Sequence, residues 1–173
     1  TGTGDVTFTT VADDIEFATG HIHLGDGSNL KVDTGDTGGN ITIAEIAGTS
    51  QETVTLDAGT GTTSVGVIGS GTEIGTLSIG SDENGGITLN GAITTDGVVT
   101  LDGPITLATA AITITTADDN INLQGTVDGG KALTLVSGSG AVNVDGAIGG
   151  STALTSLTVN SSGAGTVEIN NIV

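Results

Sequence analysis

The sequence predicts an all-β protein, a parallel β-solenoid (β-helix), and three observations lead to this fold class. Short triplets, in which two apolar residues flank one other residue, recur about every ten residues. The segments between them are rich in Gly, Asp, Asn and Ser, which favour turns. The chain has two aromatic residues, Phe8 and Phe17, so its core must be thin and aliphatic.

Each triplet is predicted to form one short strand, because alternation places its two apolar side chains on one face and the middle residue on the other. No Gly-free stretch of ten residues has a helical period, so essentially no helix is expected. In chain order the seventeen triplets are Val6–Phe8, Ile15–Phe17, Ile22–Leu24, Leu30–Val32, Ile41–Ile43, Val54–Leu56, Val65–Val67, Leu77–Ile79, Ile87–Leu89, Val99–Leu101, Ile105–Leu107, Ile112–Ile114, Ile121–Leu123, Leu133–Leu135, Val142–Val144, Leu157–Val159 and Val167–Ile169.

Strands this short cannot be stable alone, which leaves three arrangements. A β-sandwich needs longer strands, and a string of hairpins would use Asp-Gly turns such as Asp96-Gly97. A solenoid suits the even spacing best, because its coils stack the inward pairs into aliphatic columns. Two triplets per coil predict about 20 residues per coil, and three triplets per coil are the alternative.

A longer period lies over the triplets. Ile41 and Ile121 are 80 residues apart, and so are Leu77 and Leu157. Residues 1–173 are therefore predicted to be a single solenoid with internal repeats of about 80 residues, approximately 12–93 and 94–173. Residues 1–11 would be the end of a preceding repeat, because they match residues 163–173.

The two ends of the predicted solenoid point to assembly. The sequence shows neither an amphipathic helix nor a charged strand that would cap the open core and the unpaired backbone at an end. We therefore expect head-to-tail contacts with other copies along a fibre axis. Whether the copies are covalently joined or separate subunits stays open.

The charge excludes several kinds of partner. Twenty acidic residues against two basic ones give a formal net charge of −18, which repels nucleic acid and anionic membranes. With two Lys, no Arg and no long insertion, a cleft with a catalytic base is not expected, so the chain is predicted not to be an enzyme. No apolar run is long enough to insert into a membrane as a helix.

The stretch "ITTADDNINLQGTVDGGKALTLVSGSGAVNVDGAIGGSTALTSLTVNSSGAGTVEI" resembles the repeats of large bacterial surface adhesins of the filamentous-haemagglutinin-like type. "VADDIEF" and "GGNITI" echo the same pattern in the first half, although "AGTSQETVTL" departs from "DGGKALTL". The resemblance implies a parallel β-solenoid shaft, an extracellular or cell-surface location, and an adhesive or fibrous role. The resemblance implies no catalytic residues for this chain. Host or matrix glycans stay open as partners.

Two groups of residues are candidates for metal sites. Asp13, Asp14, Asp118 and Asp119 recur before strands and offer oxygen ligands for Ca²⁺, although Asp is also an ordinary turn residue. His21 and His23 flank Ile22 and should face the same way, as a Zn²⁺ or Cu²⁺ pair would, or simply face solvent. No cofactor is required, and Ca²⁺ is the one left open. A Ca²⁺- or glycan-binding surface module is thus the alternative to a fibre segment.

Overall fold

The computed structural model describes residues 4–80 and 85–173, which wind into a parallel β-solenoid of about 7 turns with about 23 residues per turn. The predicted fold class is confirmed, and no helix occurs among the described residues. The strands are β1 (Val6–Thr9), β2 (Ile15–Phe17), β3 (Ile22–His23), β4 (Leu30–Asp33), β5 (Ile41–Ala47), β6 (Thr53–Asp57), β7 (Thr63–Ile68), β8 (Thr76–Gly80), β9 (Ile87–Leu89), β10 (Ile93–Thr95), β11 (Val99–Asp102), β12 (Ile105–Leu107), β13 (Ala111–Thr116), β14 (Ile121–Leu123), β15 (Val127–Asp128), β16 (Ala132–Gly138), β17 (Val142–Ile148), β18 (Ser156–Ser161) and β19 (Val167–Ile172).

The strands stack into three faces. Face 1 contains β1, β4, β6, β8, β11, β14 and the first parts of β17 and β19. Face 2 contains β2, the first parts of β5 and β7, then β9, β12, β15 and the ends of β17 and β19. Face 3 contains β3, the ends of β5 and β7, then β10, β13, β16 and β18.

Each turn therefore has three strands and about 23 residues, not the two strands and about 20 residues that the triplet spacing favoured. The triplet pattern missed strand positions that carry a single aliphatic residue. These are Ile46, Ile68 and Ile93 on face 3 and Val127, Ile148 and Ile172 on face 2. With the seventeen triplets they give eight rungs on faces 1 and 2 and seven on face 3, counted over the described residues.

The core is a set of aliphatic columns, because each strand turns alternate side chains inward. On face 1, Leu77, Val99 and Ile121 are successive members of one column, and each is at most 1% exposed. Full burial of such a side chain contributes about 1.5–3 kcal/mol.

The prediction of two inward apolar residues was wrong for one triplet, Val65–Val67. Val67 is 39% exposed, because Thr63 and Val65 are the inward residues of the first part of β7.

A column of glycines forms the corner between faces 1 and 2. A Cβ on Gly61 would lie 1.9 Å from the carbonyl oxygen of Gly39, and one on Gly125 would lie 2.0 Å from that of Gly103. Similar contacts continue at Gly85 and Gly146. Successive backbones approach too closely here for any other residue. The glycines that the sequence showed as separate turn residues thus form one continuous edge.

The residues that define the predicted 80-residue repeats lie on different faces. Ile41 is on face 2 and Ile121 on face 1, and Leu77 is on face 1 and Leu157 on face 3. Each pair is eleven strand positions apart, which is three and two-thirds turns. Val6 and Val167, by contrast, lie in the same column of face 1, seven whole turns apart. The repeat boundaries stay a prediction.

Candidate functional site

The first and last turns expose apolar residues that would be core residues elsewhere. In the first turn Val6 is 41% exposed and Phe8 39%, and the Phe8 ring meets the Phe17 ring edge-on with centroids 5.0 Å apart. In the last turn Val167 is 49% exposed and Ile172 67%. Both surfaces are therefore open cross-sections of the aliphatic core.

The backbone is open at the same two surfaces. β1 pairs with β4, and β19 pairs with β17, each on one side only among the described residues. β18 likewise pairs only with β16 in the described part of the chain. Unpaired parallel strand edges above apolar columns are a template for the addition of another rung.

The predicted Ca²⁺ ligands lie at two different corners. Asp13 and Asp14 are in the first turn, between faces 1 and 2. Asp118 and Asp119 lie between β13 and β14, where the chain passes from face 3 to face 1. More than four and a half turns, about 22 Å along the axis, separate the two pairs. The structure does not bring them together.

Two of these aspartates bind the backbone of the next rung. One oxygen of Asp14 accepts hydrogen bonds from the Asn40 backbone N–H at 2.7 Å and from its side-chain amide at 3.0 Å. The Asp118 carboxylate accepts the Ser139 N–H at 2.8 Å. At Asp13 and Asp119 it is the main-chain carbonyl that accepts, from the hydroxyls of Thr10 and Thr116. Both pairs thus shape corners, and their binding of Ca²⁺ stays a prediction.

His21 and His23 lie at the outer surface around β3, with ring centroids 6.3 Å apart. The structure adds a neighbour that the sequence did not indicate: Glu45 on the next rung, whose carboxylate is 2.5 Å from His21 Nδ1. Within residues 4–80 and 85–173, no three His, Cys, Asp or Glu side chains are grouped so that they can hold a metal ion. The predicted Zn²⁺ or Cu²⁺ pair stays untested.

Glu52 is a buried acid that sequence reasoning missed. Its side chain is inaccessible to solvent, and its carboxylate accepts the Thr49 backbone N–H at 2.7 Å, the Gln51 N–H at 3.3 Å and the Thr49 hydroxyl. Burial alone raises the pKa of the carboxyl, but these hydrogen bonds outweigh it and hold the pKa below its ordinary value. The contacts close a tight turn before β6, so Glu52 has a structural role.

The outer surface of face 1 carries two recesses. The first, of about 310 Å³, lies over β1, β4 and β6, and the second, of about 250 Å³, lies over β6, β8 and β11 and reaches Gln124. They share Thr55. We call this surface, from Asp5 to Gln124, the face 1 trough. The sequence could not indicate it, because residues from six turns contribute.

Lys31 lies within the first recess, in the same row as Thr7 and Thr55, and is paired. Its ammonium is 2.9 Å from the Asp33 carboxylate. The hydrogen bond from Lys31, together with that from the Gly35 N–H, lowers the pKa of Asp33. The hydrogen bond to Asp33 and the negative charge of its carboxylate raise the pKa of Lys31. The charge of Lys31 is thus directed to the margin of the trough.

None of the described residues forms a helix that is long and apolar enough to cross a membrane. Comparison of the chain with protein-family models, curated proteins and solved structures gives no match.

Proposed function

We propose that this chain is a structural, non-enzymatic repeat segment of an extracellular bacterial filament or adhesin shaft. Further coils would continue it at both ends. The observation that carries the proposal is the pair of open core cross-sections, with Phe8 39% and Val167 49% exposed at opposite ends. The bacterial, extracellular and adhesive parts rest on the resemblance of the sequence, and the non-enzymatic part on its two Lys and lack of Arg.

The alignment of the ends supports a straight continuation. Val6 and Val167 are in one column of face 1, so another turn added above β19 keeps the three faces in line. Face 3 has one rung fewer than faces 1 and 2 in the described residues, so the junction must supply one strand on face 3. Further residues of the same polypeptide can do this, whereas a second copy stacked directly on β19 would pair on faces 1 and 2 and leave one gap on face 3. The contact joins two unlike surfaces and builds an open filament.

Electron microscopy and sedimentation velocity of the chain over a range of concentrations test the proposal. Eight rungs make a body roughly 40 Å long, and we expect end-to-end rods whose lengths are multiples of this body. Val167→Lys should shorten the rods, because it places a charge in the junction. Val67→Lys is the matched control, because Val67 is 39% exposed on the side of the solenoid.

A tandem fusion of two copies covers the case of a covalent shaft. We expect a single rod of twice the length if the junction is formed within one polypeptide. Isolated compact particles from the single chain, together with two independently tumbling bodies in the fusion, would contradict the proposal. The rival Ca²⁺-binding role predicts a higher melting temperature in Ca²⁺ than in EDTA, whereas the shaft proposal does not require it.

A further inference from the structure

The two recesses on face 1 adjoin at Thr55 and follow one another along the solenoid axis. Both include Thr55, and together they extend from Asp5 to Gln124. Six successive rungs contribute, which corresponds to about 25 Å at the spacing of neighbouring strands. A ligand that fills the trough must therefore be long, narrow and parallel to the axis.

Short hydroxyl side chains form the floor of the trough. Thr55, Ser78 and Thr100 are in register on neighbouring strands, and Thr7 lies further along the same row beyond Lys31. Their outward hydroxyls can both donate and accept hydrogen bonds. The floor thus offers the same chemistry on almost every rung.

Longer polar side chains form the margins. Asn29 lies on one side, and Asp57, Asp102 and Gln124 lie on the other. Gly80 occupies the place between Asp57 and Asp102, where it deepens the second recess. Its φ is 143°, and a Cβ on Gly80 would lie 2.2 Å from the Asp102 carbonyl oxygen, so no side chain fits there.

The mixed donors and acceptors match a polyhydroxylated polymer. Thr and Ser hydroxyls with Asn and Gln amides suit the hydroxyl groups of a sugar. The rung spacing of about 4.8 Å is close to the advance per sugar of an extended β-1,4-linked chain. An oligosaccharide along the axis can therefore meet a similar set of groups at each successive sugar.

The charge of the trough selects among such polymers. Asp5, Asp57 and Asp102 line it, while the ammonium of Lys31, which also lines it, is paired with Asp33. Asp57 and Asp102 are two rungs apart, about 10 Å. Acidic glycans are repelled, and amino groups at intervals along a glycan are attracted.

We propose that the face 1 trough binds a linear glycan that carries amino groups, with its chain parallel to the solenoid axis. The hydroxyls of the floor contact the sugar hydroxyls, and the carboxylates of Asp57 and Asp102 contact the ammonium groups. Because no aromatic ring stacks on the sugars, each rung contributes little, and affinity comes from many rungs together. This binding is separate from the shaft role and does not depend on it.

Backbone amide NMR of the whole chain, titrated with a β-1,4-linked glucosamine hexamer at a pH where its amines are charged, tests the proposal. We expect shifts concentrated on β4, β6, β8 and β11. Cellohexaose should give weaker shifts at the same strands, and a galacturonate hexamer should give none. Absence of face 1 shifts with the glucosamine hexamer, or equal shifts on all three faces, would overturn the proposal. Equal binding of cellohexaose would overturn the requirement for amino groups.

Two pairs of variants give matched controls. The double variant Asp57→Asn with Asp102→Asn should weaken binding of the glucosamine hexamer on the order of fivefold, while the exposed Glu16→Gln on face 2 should not. Asn at position 57 keeps the oxygen that accepts the Gly59 N–H. Ser78→Leu, which fills the floor, should abolish binding, whereas Thr106→Leu on face 2 should not. Equal effects of a trough variant and its control would contradict the site.

Discussion

The middle and the terminal turns of the solenoid use the same triplet but differ in burial. Val99 and Leu101 on β11 are fully buried, whereas Val6 is 41% and Val167 49% exposed. Val6, Val99 and Val167 belong to one column of face 1, so each begins the same kind of triplet and points its side chain in the same direction. The difference shows that a neighbouring rung, rather than the triplet itself, creates the core.

The same comparison explains why the proposed function depends on the ends. In a stacked solenoid each turn contacts mainly the turn above and the turn below it, so a terminal turn lacks half of its packing. An added turn would bury Phe8 or Val167 and pair an open strand edge at the same time. The following predictions test this difference, from the largest expected effect to the smallest.

Leu101→Ala and Val167→Ala compare the middle with the end directly. Leu101→Ala should destabilise the fold by about 2–5 kcal/mol, because it removes packing and leaves a cavity. Val167→Ala should cost under about 1 kcal/mol, since half of the side chain is already in water. Urea unfolding followed by circular dichroism measures both, and equal losses would contradict the contrast.

Gly125→Ala tests close stacking in the middle turns. Its Cβ would lie 2.0 Å from the Gly103 carbonyl oxygen, so the backbones must separate, and we expect a loss of about 1–3 kcal/mol. Gly86→Ala is the matched control, because its nearest contact would be 3.7 Å away at Thr62. The same urea measurement applies. A Gly86→Ala loss as large as that of Gly125→Ala would show that flexibility, not stacking, is responsible.

Glu52 tests whether a buried corner of a middle turn is sensitive to acid. Its pKa in the folded protein is below the ordinary value of 4.5, so its carboxylate contributes stability above that pH. This contribution is lost as the pH falls through the lowered pKa. Wild-type protein should melt at a higher temperature than Glu52→Gln at pH 7, and the difference between their melting temperatures should become smaller toward pH 3. A difference that does not change with pH would contradict the role of the charge.

Glu45→Gln should have the smallest effect. The pair of His21 and Glu45 lies at the surface, with the His21 side chain 58% exposed, so its loss should change stability by no more than about 0.5 kcal/mol. Melting temperatures of the variant and the wild type, measured side by side in the same buffer, give the effect. A loss well above 1 kcal/mol would mean that the first turns depend on this contact.

The sequence predicted the strands better than their arrangement. The inward pairs at β8, β11 and β14 follow directly from alternation, because that period is a local property of the backbone. β10 and β15 were missed, since each has a single aliphatic residue and no repeating pattern. Without these positions the triplet spacing favoured two strands per turn.

The candidate sites were predictable only in part. Alternation placed the rings of His21 and His23 together on the outside, but their neighbour Glu45 is 22 or more residues away in the chain. Asp13 and Asp118 were recognised as corner residues, whereas the trough on face 1 was not. Its floor residues Thr55, Ser78 and Thr100 become neighbours only when three turns are stacked in register.

The sequence by itself determined the period, the aliphatic composition of the core and the acidic surface, because these depend on residue type and on alternation within a few residues. Tertiary structure decided the three strands per turn, the glycine corner and the face 1 trough. These features depend on the register between residues about 23 positions apart, which hydrogen bonds between turns fix and local pattern does not.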